Sequence, residues 1–105
     1  MNREELQLLA FEIIGCAGDS LSLNFEALAK AKKGDYTACD ELKKQARERM
    51  QEAHHRQTDL LSKEAEGESC EGNLIMVHAQ DHLMNAVLSE KLVDELIDLY
   101  KKMEG

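Results

Sequence analysis

Apolar residues recur at three- and four-residue steps along most of the chain, a period that predicts amphipathic helices. From Glu4 to about Lys33, Leu6, Leu9, Ala10, Ile13, Ala17, Leu21, Leu28 and Ala31 trace one stripe, which Leu8, Phe11, Ile14 and Phe25 widen. Gly15 and Gly18 weaken this helix by up to about 1 kcal/mol each relative to Ala. They read either as close approach of a neighbouring helix or as backbone left open beside a functional site. Lys32-Lys33-Gly34-Asp35 then supplies cations for a last turn, a glycine for a left-handed C-cap and an aspartate for the next N-cap. So short a connection returns the chain antiparallel.

The second helix is expected over residues 36–64. Its seam is Tyr36, Cys39, Leu42, Ala46, Met50, Ala53, Leu60 and Leu61, with Gln57 in register. Asp40, Glu41, Lys43, Lys44, Arg47, Glu48, Arg49, Glu52 and Arg56 fill the other faces and read as a solvated exterior. His54 and His55 point about 100° apart, so a regular helix cannot aim both at one metal. His54 by itself reads as a hydrogen-bonded packing residue. Ala65 to Asn73 loses the period, holds Gly67 and Gly72, and is expected to be a loop.

A third helix is expected over residues 73–103, and it changes character halfway. Leu92, Val93, Leu96, Ile97, Leu99 and Tyr100 form an ordinary stripe opposite Glu90, Asp94, Glu95 and Lys101. Leu74 to Val77 and Leu83 to Leu88 are apolar almost all round. Such a helix needs more cover than two partners give, which further subunits would supply. The expected fold is therefore all-α, an antiparallel three-helix bundle in a single domain over residues 1–105, meeting its copies through the third helix.

Composition adds limits. A chain of 105 residues has a marginal core for a monomer, which again favours oligomerisation. The formal net charge of -8 argues against nucleic acid and anionic membrane surfaces. The N-terminus lacks signal-peptide character, and no apolar run is expected to approach the ~18 residues of a membrane span, so the chain reads as cytoplasmic. Cys16, Cys39 and Cys70 are odd in number, show no C-x-x-C spacing and read as reduced thiols.

Against this background the segment Val77 to Met84 stands apart, because it sets His78, Asp81 and His82 among Leu, Val and Met. The three fall at about 0°, 300° and 40° on a helical wheel, hence on one face. Burying them unpartnered is unfavourable. Four readings are open. His78, Asp81 and His82 make a zinc site, which the absence of an H-E-x-x-H pattern weakens. His78 acts as a nucleophile that carries a phosphoryl group, with His82 one turn away to bond or neutralise its oxygens. Asp81 meets its symmetry mates at an oligomer axis, where a hard divalent cation such as Mg²⁺ offsets the repulsion. Lastly, all three are satisfied core residues with no chemistry.

The chain resembles the lactose/cellobiose-type enzyme IIA subunits of the bacterial phosphoenolpyruvate:sugar phosphotransferase system. H-A-Q-D-H-L-M at His78 to Met84, Glu52-Ala53-His54 with Gln57-Thr58 and Leu60-Leu61, and Lys33-Gly34-Asp35 carry the likeness. Phe11 to Ile14 and Leu96 to Lys101 extend it across nearly the whole chain. The resemblance implies a homotrimer of three-helix bundles, a nine-helix assembly. It implies a phosphoryl group received on His78 from the histidine-containing phosphocarrier protein and passed to a cysteine of enzyme IIB, during uptake of a lactose-, cellobiose- or chitooligosaccharide-class sugar. It makes Asp81 a structural metal ligand at the trimer axis, the metal being Mg²⁺. His82 and Gln80 belong to the same motif, but Gln80 lies about 200° from His78 and is expected to act only across a subunit boundary. Two alternatives remain: a metal-stabilised helical oligomer with a regulatory or scaffolding role, and a two-component phosphotransfer domain. The second calls for a fourth helix and a nearby lysine, and none follows His78 until Lys91.

Overall fold

The computed structural model describes residues 2–67 and 74–104. They form α1 (Arg3–Lys32), α2 (Tyr36–Ala65) and α3 (Leu74–Glu104), three helices over the expected stretches, with the expected start at residue 73 outside the described residues. The capping groups are those the sequence offers. Asn2 Oδ1 accepts from the Glu5 amide at 2.8 Å to open α1, and Asp35 Oδ1 accepts from the Ala38 amide at 3.2 Å to open α2. Between them Gly34 takes φ +78°, a region open to glycine without penalty. The predicted loop is described only to Gly67; residues 68–73, Cys70 among them, lie outside the described residues.

The helices run up, down and up. Glu12 pairs with Arg56, Asp19 with Arg49 and Asn24 with Lys43, so α1 and α2 are antiparallel. Gln57 meets Gln80 and Lys43 meets Asp94, which makes α3 antiparallel to α2. The result is a rod of 54 × 20 × 17 Å. Its section is not an even triangle, because α2 and α3 each pack along α1 and barely touch one another. The central helix therefore buries the widest strip, Leu9, Cys16 and Leu28 beyond its main seam.

All three seams keep alternating steps of three and four, the spacing that holds one face toward a neighbour. The seam of α1 is Leu6, Ala10, Ile13, Ala17, Ser20, Asn24, Ala27 and Ala31, all buried. That of α2 is Cys39, Lys43, Ala46, Met50, Ala53, Gln57 and Leu60, and that of α3 is Met76, Ala79, Leu83, Ala86, Glu90, Val93 and Ile97. Two apolar clusters result. One runs from Leu6 to Ala17 and includes Met50, Leu60, Met76 and Leu83; the other holds Ala27, Leu28, Cys39, Val93 and Ile97. Polar side chains separate them.

Several sequence expectations change here. Lys43, placed on the solvated exterior, is 3% exposed and belongs to the seam. Leu8, Phe11 and Phe25 do not widen the buried stripe of α1; they stand exposed, and with Gly15, Gly18 and Ser22 they repeat every three or four residues on the opposite face. A Cβ on Gly15 or Gly18 would meet nothing within 4 Å, so no helix of this subunit approaches them. The C-terminal half of α3 is likewise not an ordinary stripe: Val93 and Ile97 are buried, whereas Leu92, Leu96 and Leu99 join Leu74, Val77, Met84, Leu88 and Met103 on an exposed outward face. Leu61 on α2 is exposed as well. Because α1 is apolar on two opposite faces, one window in it reaches a mean hydropathy of 1.3 and is long and apolar enough to cross a membrane, contrary to expectation. Its packing against both other helices accounts for the inner face.

Candidate functional site

The site begins where α3 begins. Leu74 opens the helix, and His78 sits just past its first turn, with His82 one turn further on. The i, i+4 spacing stacks the two rings with centroids 4.4 Å apart at 86°. Their Nε2 atoms lie 3.0 Å apart. At that distance one nitrogen donates a proton and the other accepts it through its lone pair. The pair thus presents one proton-free Nε2, held in place by the N–H of its neighbour.

Around His78 the surface is apolar. Leu74, Ile75 and His78 line an open recess of about 460 Å³. His78 itself is exposed and His82 partly buried. No Lys or Arg occurs on α3 before Lys91, so this helix brings no cation to an anion bound at His78. The recess is a feature that periodicity left unseen; a run apolar on all sides next to a helix start was its one signal.

Asp81 separates from the histidines. It is exposed and lies in the outward apolar face of α3, between Val77 and Met84. Among the described residues no three His, Cys, Asp or Glu side chains gather closely enough to hold a metal, which disfavours zinc held by His78, Asp81 and His82 of one subunit. Any metal at Asp81 needs donors from other copies. A carboxylate from each copy would give the all-oxygen set that a hard divalent cation takes.

Gln80 turns the other way. Its Nε2 donates to Gln57 Oε1 at 2.8 Å, with Met76 Sδ at 3.6 Å, and so links α3 to α2 within the subunit. It makes no contact with the histidine pair here, as its position on the wheel implies. His54 and His55 are both exposed, and the expected packing role for His54 is not what the subunit shows. Cys16 and Cys39 are free thiols. Burial, helped by a hydrogen bond to Glu52, pushes the Cys16 thiol up, and burial does the same to Cys39. Both are therefore weak nucleophiles.

The family model described as "PTS system, Lactose/Cellobiose specific IIA subunit" matches residues 8–101. The lactose-specific EIIA component of Staphylococcus aureus (strain N315) is 45% identical over 102 residues, 97% of this chain and 99% of the relative. That of Streptococcus mutans is 46% identical over 97% of this chain and 98% of its own. Among solved structures, the cellobiose-specific enzyme IIA from Bacillus anthracis superposes with a TM-score of 0.92 at 43% identity, covering 99% of this chain and 94% of that one. The chitobiose IIA of Escherichia coli, solved in complex with HPr, has a TM-score of 0.82 at 38% identity over 95% and 97%.

Proposed function

Because the chain belongs to the lactose/cellobiose-specific IIA subunits of the phosphotransferase system, and so is one of its phosphotransferase components, we propose that His78 carries the phosphoryl group. The observation that carries this reading is the Nε2···Nε2 contact of 3.0 Å at the edge of an apolar recess. His82 donates its N–H to the single lone pair of His78 Nε2 and so keeps that nitrogen unprotonated; the hydrogen bond opens as the phosphoryl donor arrives. That lone pair attacks phosphorus on the phosphohistidine of the phosphocarrier protein HPr; a new N–P bond forms as the old one breaks. Once His78 Nε2 is occupied, the freed His82 N–H turns to a phosphoryl oxygen. A cysteine thiolate of enzyme IIB then attacks phosphorus, an S–P bond replaces the N–P bond, and His78 regains its lone pair. The recess is open in the free subunit, and its apolar lining excludes water, the competing nucleophile, once a partner protein covers it for transfer.

The HPr partner is supported by the HPr-bound Escherichia coli relative. Enzyme IIB, the cytoplasmic setting and a lactose-, cellobiose- or chitooligosaccharide-class sugar follow from the family reading. A homotrimer is supported by the outward apolar faces of α1 and α3, which further copies would cover, while the outward side of α2 is charged and suits solvent. Within it the Asp81 carboxylates would hold Mg²⁺, whose charge offsets their mutual repulsion. The scaffolding alternative uses the same assembly with no chemistry at His78. Incubation with phosphoenolpyruvate, enzyme I and HPr, followed by intact mass, separates the two. One acid-labile phosphoryl addition per subunit, absent in His78→Ala, is expected; an unmodified wild-type chain overturns the carrier reading.

A further inference from the structure

Between the two apolar clusters lies a layer that neither the phosphoryl chemistry nor the assembly uses. Lys43 Nζ reaches from α2 to Asn24 Oδ1 on α1 and forms a 2.8 Å ion pair with Asp94 Oδ1 on α3. Asn24 Nδ2 donates to the Ser20 carbonyl at 3.0 Å, and the Ser20 hydroxyl donates to the Ala46 carbonyl at 2.9 Å. Ser20 and Asn24 are 0% exposed. The Lys43 ammonium thus joins all three helices in this layer.

Part of the surrounding seam is built from small residues. Successive heptad positions on α1 read Ala10, Ala17, Asn24 and Ala31, and α2 and α3 answer with Ala46, Ala53, Ala79 and Ala86, all fully buried or nearly so. Sliding one helix by a heptad sets an alanine in another's place once per helix, Ala10 for Ala17, Ala46 for Ala53 or Ala79 for Ala86. At those levels methyl groups interlock weakly and resist the slip little. It would, however, carry Lys43 away from Asn24 and Asp94 and leave a buried ammonium without acceptors, an expensive state.

We infer that Lys43, with Asn24 and Asp94, is a positioning group that fixes the register of α3 against α1 and α2. It thereby sets the level of His78 along the bundle. The register role stands on geometry alone; its consequence for transfer rests on the function proposed above. A single polar residue in a heptad seam acts in this way in coiled coils, at some loss of stability.

The test replaces Lys43 with methionine and, separately, makes the layer wholly apolar as Ser20→Ala/Asn24→Leu/Lys43→Met. Spin labels carried by unnatural side chains at Gln45 and Asp98 report the α2 to α3 distance in labelled chains diluted into unlabelled ones. The apolar variant is expected to keep its helix content and melt at or above the wild-type temperature. It should nonetheless show a second distance population, because a slide of one heptad, roughly 10 Å of rise, moves one label past the other. Phosphoryl acceptance from HPr should fall about tenfold or more, because a misplaced nucleophile loses alignment. Should Lys43→Met not fold, the triple variant carries the measurement. A single distance population equal to wild type overturns the register role, whereas a wild-type chain that accepts no phosphoryl group overturns the function proposed above and leaves the distances to decide the register.

Discussion

Lys43, in the seam between the helices, is 3% exposed, whereas Leu92, at nearly the same height on the outward face of α3, is 55% exposed. The two positions invert the usual partition of charge and hydrocarbon, and each does so for a different reason. The inner charge is tolerated because two oxygens reach it, those of Asn24 and Asp94. The outer leucine has no such compensation within the subunit, and with seven other exposed apolar residues of α3 it forms one continuous face. A single buried polar residue explains itself locally. A whole exposed apolar face requires a second molecule.

The largest expected effect comes from making the outer face obey the partition. With copies meeting through this face as proposed, Leu88→Lys should abolish assembly, since it would set a like charge from each copy in a buried contact. Analytical ultracentrifugation checks it, and an assembly unchanged in mass would mean that this face is not the interface. The inner counterpart is Leu83→Ala. Leu83 is 0% exposed in the cluster beneath the histidines, and truncation should remove about 2–5 kcal/mol of stability by leaving a cavity. A loss well under 1 kcal/mol by urea unfolding would show that the layer collapses to fill the space.

A smaller effect distinguishes the two sides by pH. Burial raises Cys16 and Cys39 above their ordinary value of 9.0, and burial with the nearby Glu104 carboxylate raises Tyr36 above 10.0. The unfolded chain therefore releases these protons first. Stability from the inner side is complete below about pH 9 and declines as pH rises toward the folded-state values; a urea midpoint that stays flat into that range would contradict it. The smallest change is expected at Asp81, a charge on the outer face. Asp81→Leu should leave the assembly intact with no divalent cation present, because it replaces mutual repulsion by apolar contact. Dissociation of that variant in light scattering would make the carboxylates and their metal necessary to assembly.

Much of the inner architecture was legible in the residues. Lys33-Gly34-Asp35 announced the turn, and the three- and four-step pattern placed the three helices. Lys43 was not legible as a single residue among charges; only the unbroken count Cys39, Lys43, Ala46, Met50 puts it in the seam. Leu8, Phe11 and Phe25 misled because a helix with two apolar faces gives one broad hydrophobic signal that does not say which face is inside. His78 and His82 were correctly paired from spacing, since an i, i+4 relation is a local property of any helix.

The sequence by itself therefore determined what depends on near neighbours: helix bounds, caps, the two imidazoles on one side and the acidic, all-α character. Tertiary structure alone decided that α1 lies between the other two, that Gln80 turns to Gln57 and that Asp81 faces outward with the leucines. It also decided that a lysine lies inside. The physical reason is that periodicity records which residues share a face, while burial depends on what that face meets. The second is fixed only when residues far apart in the chain come together.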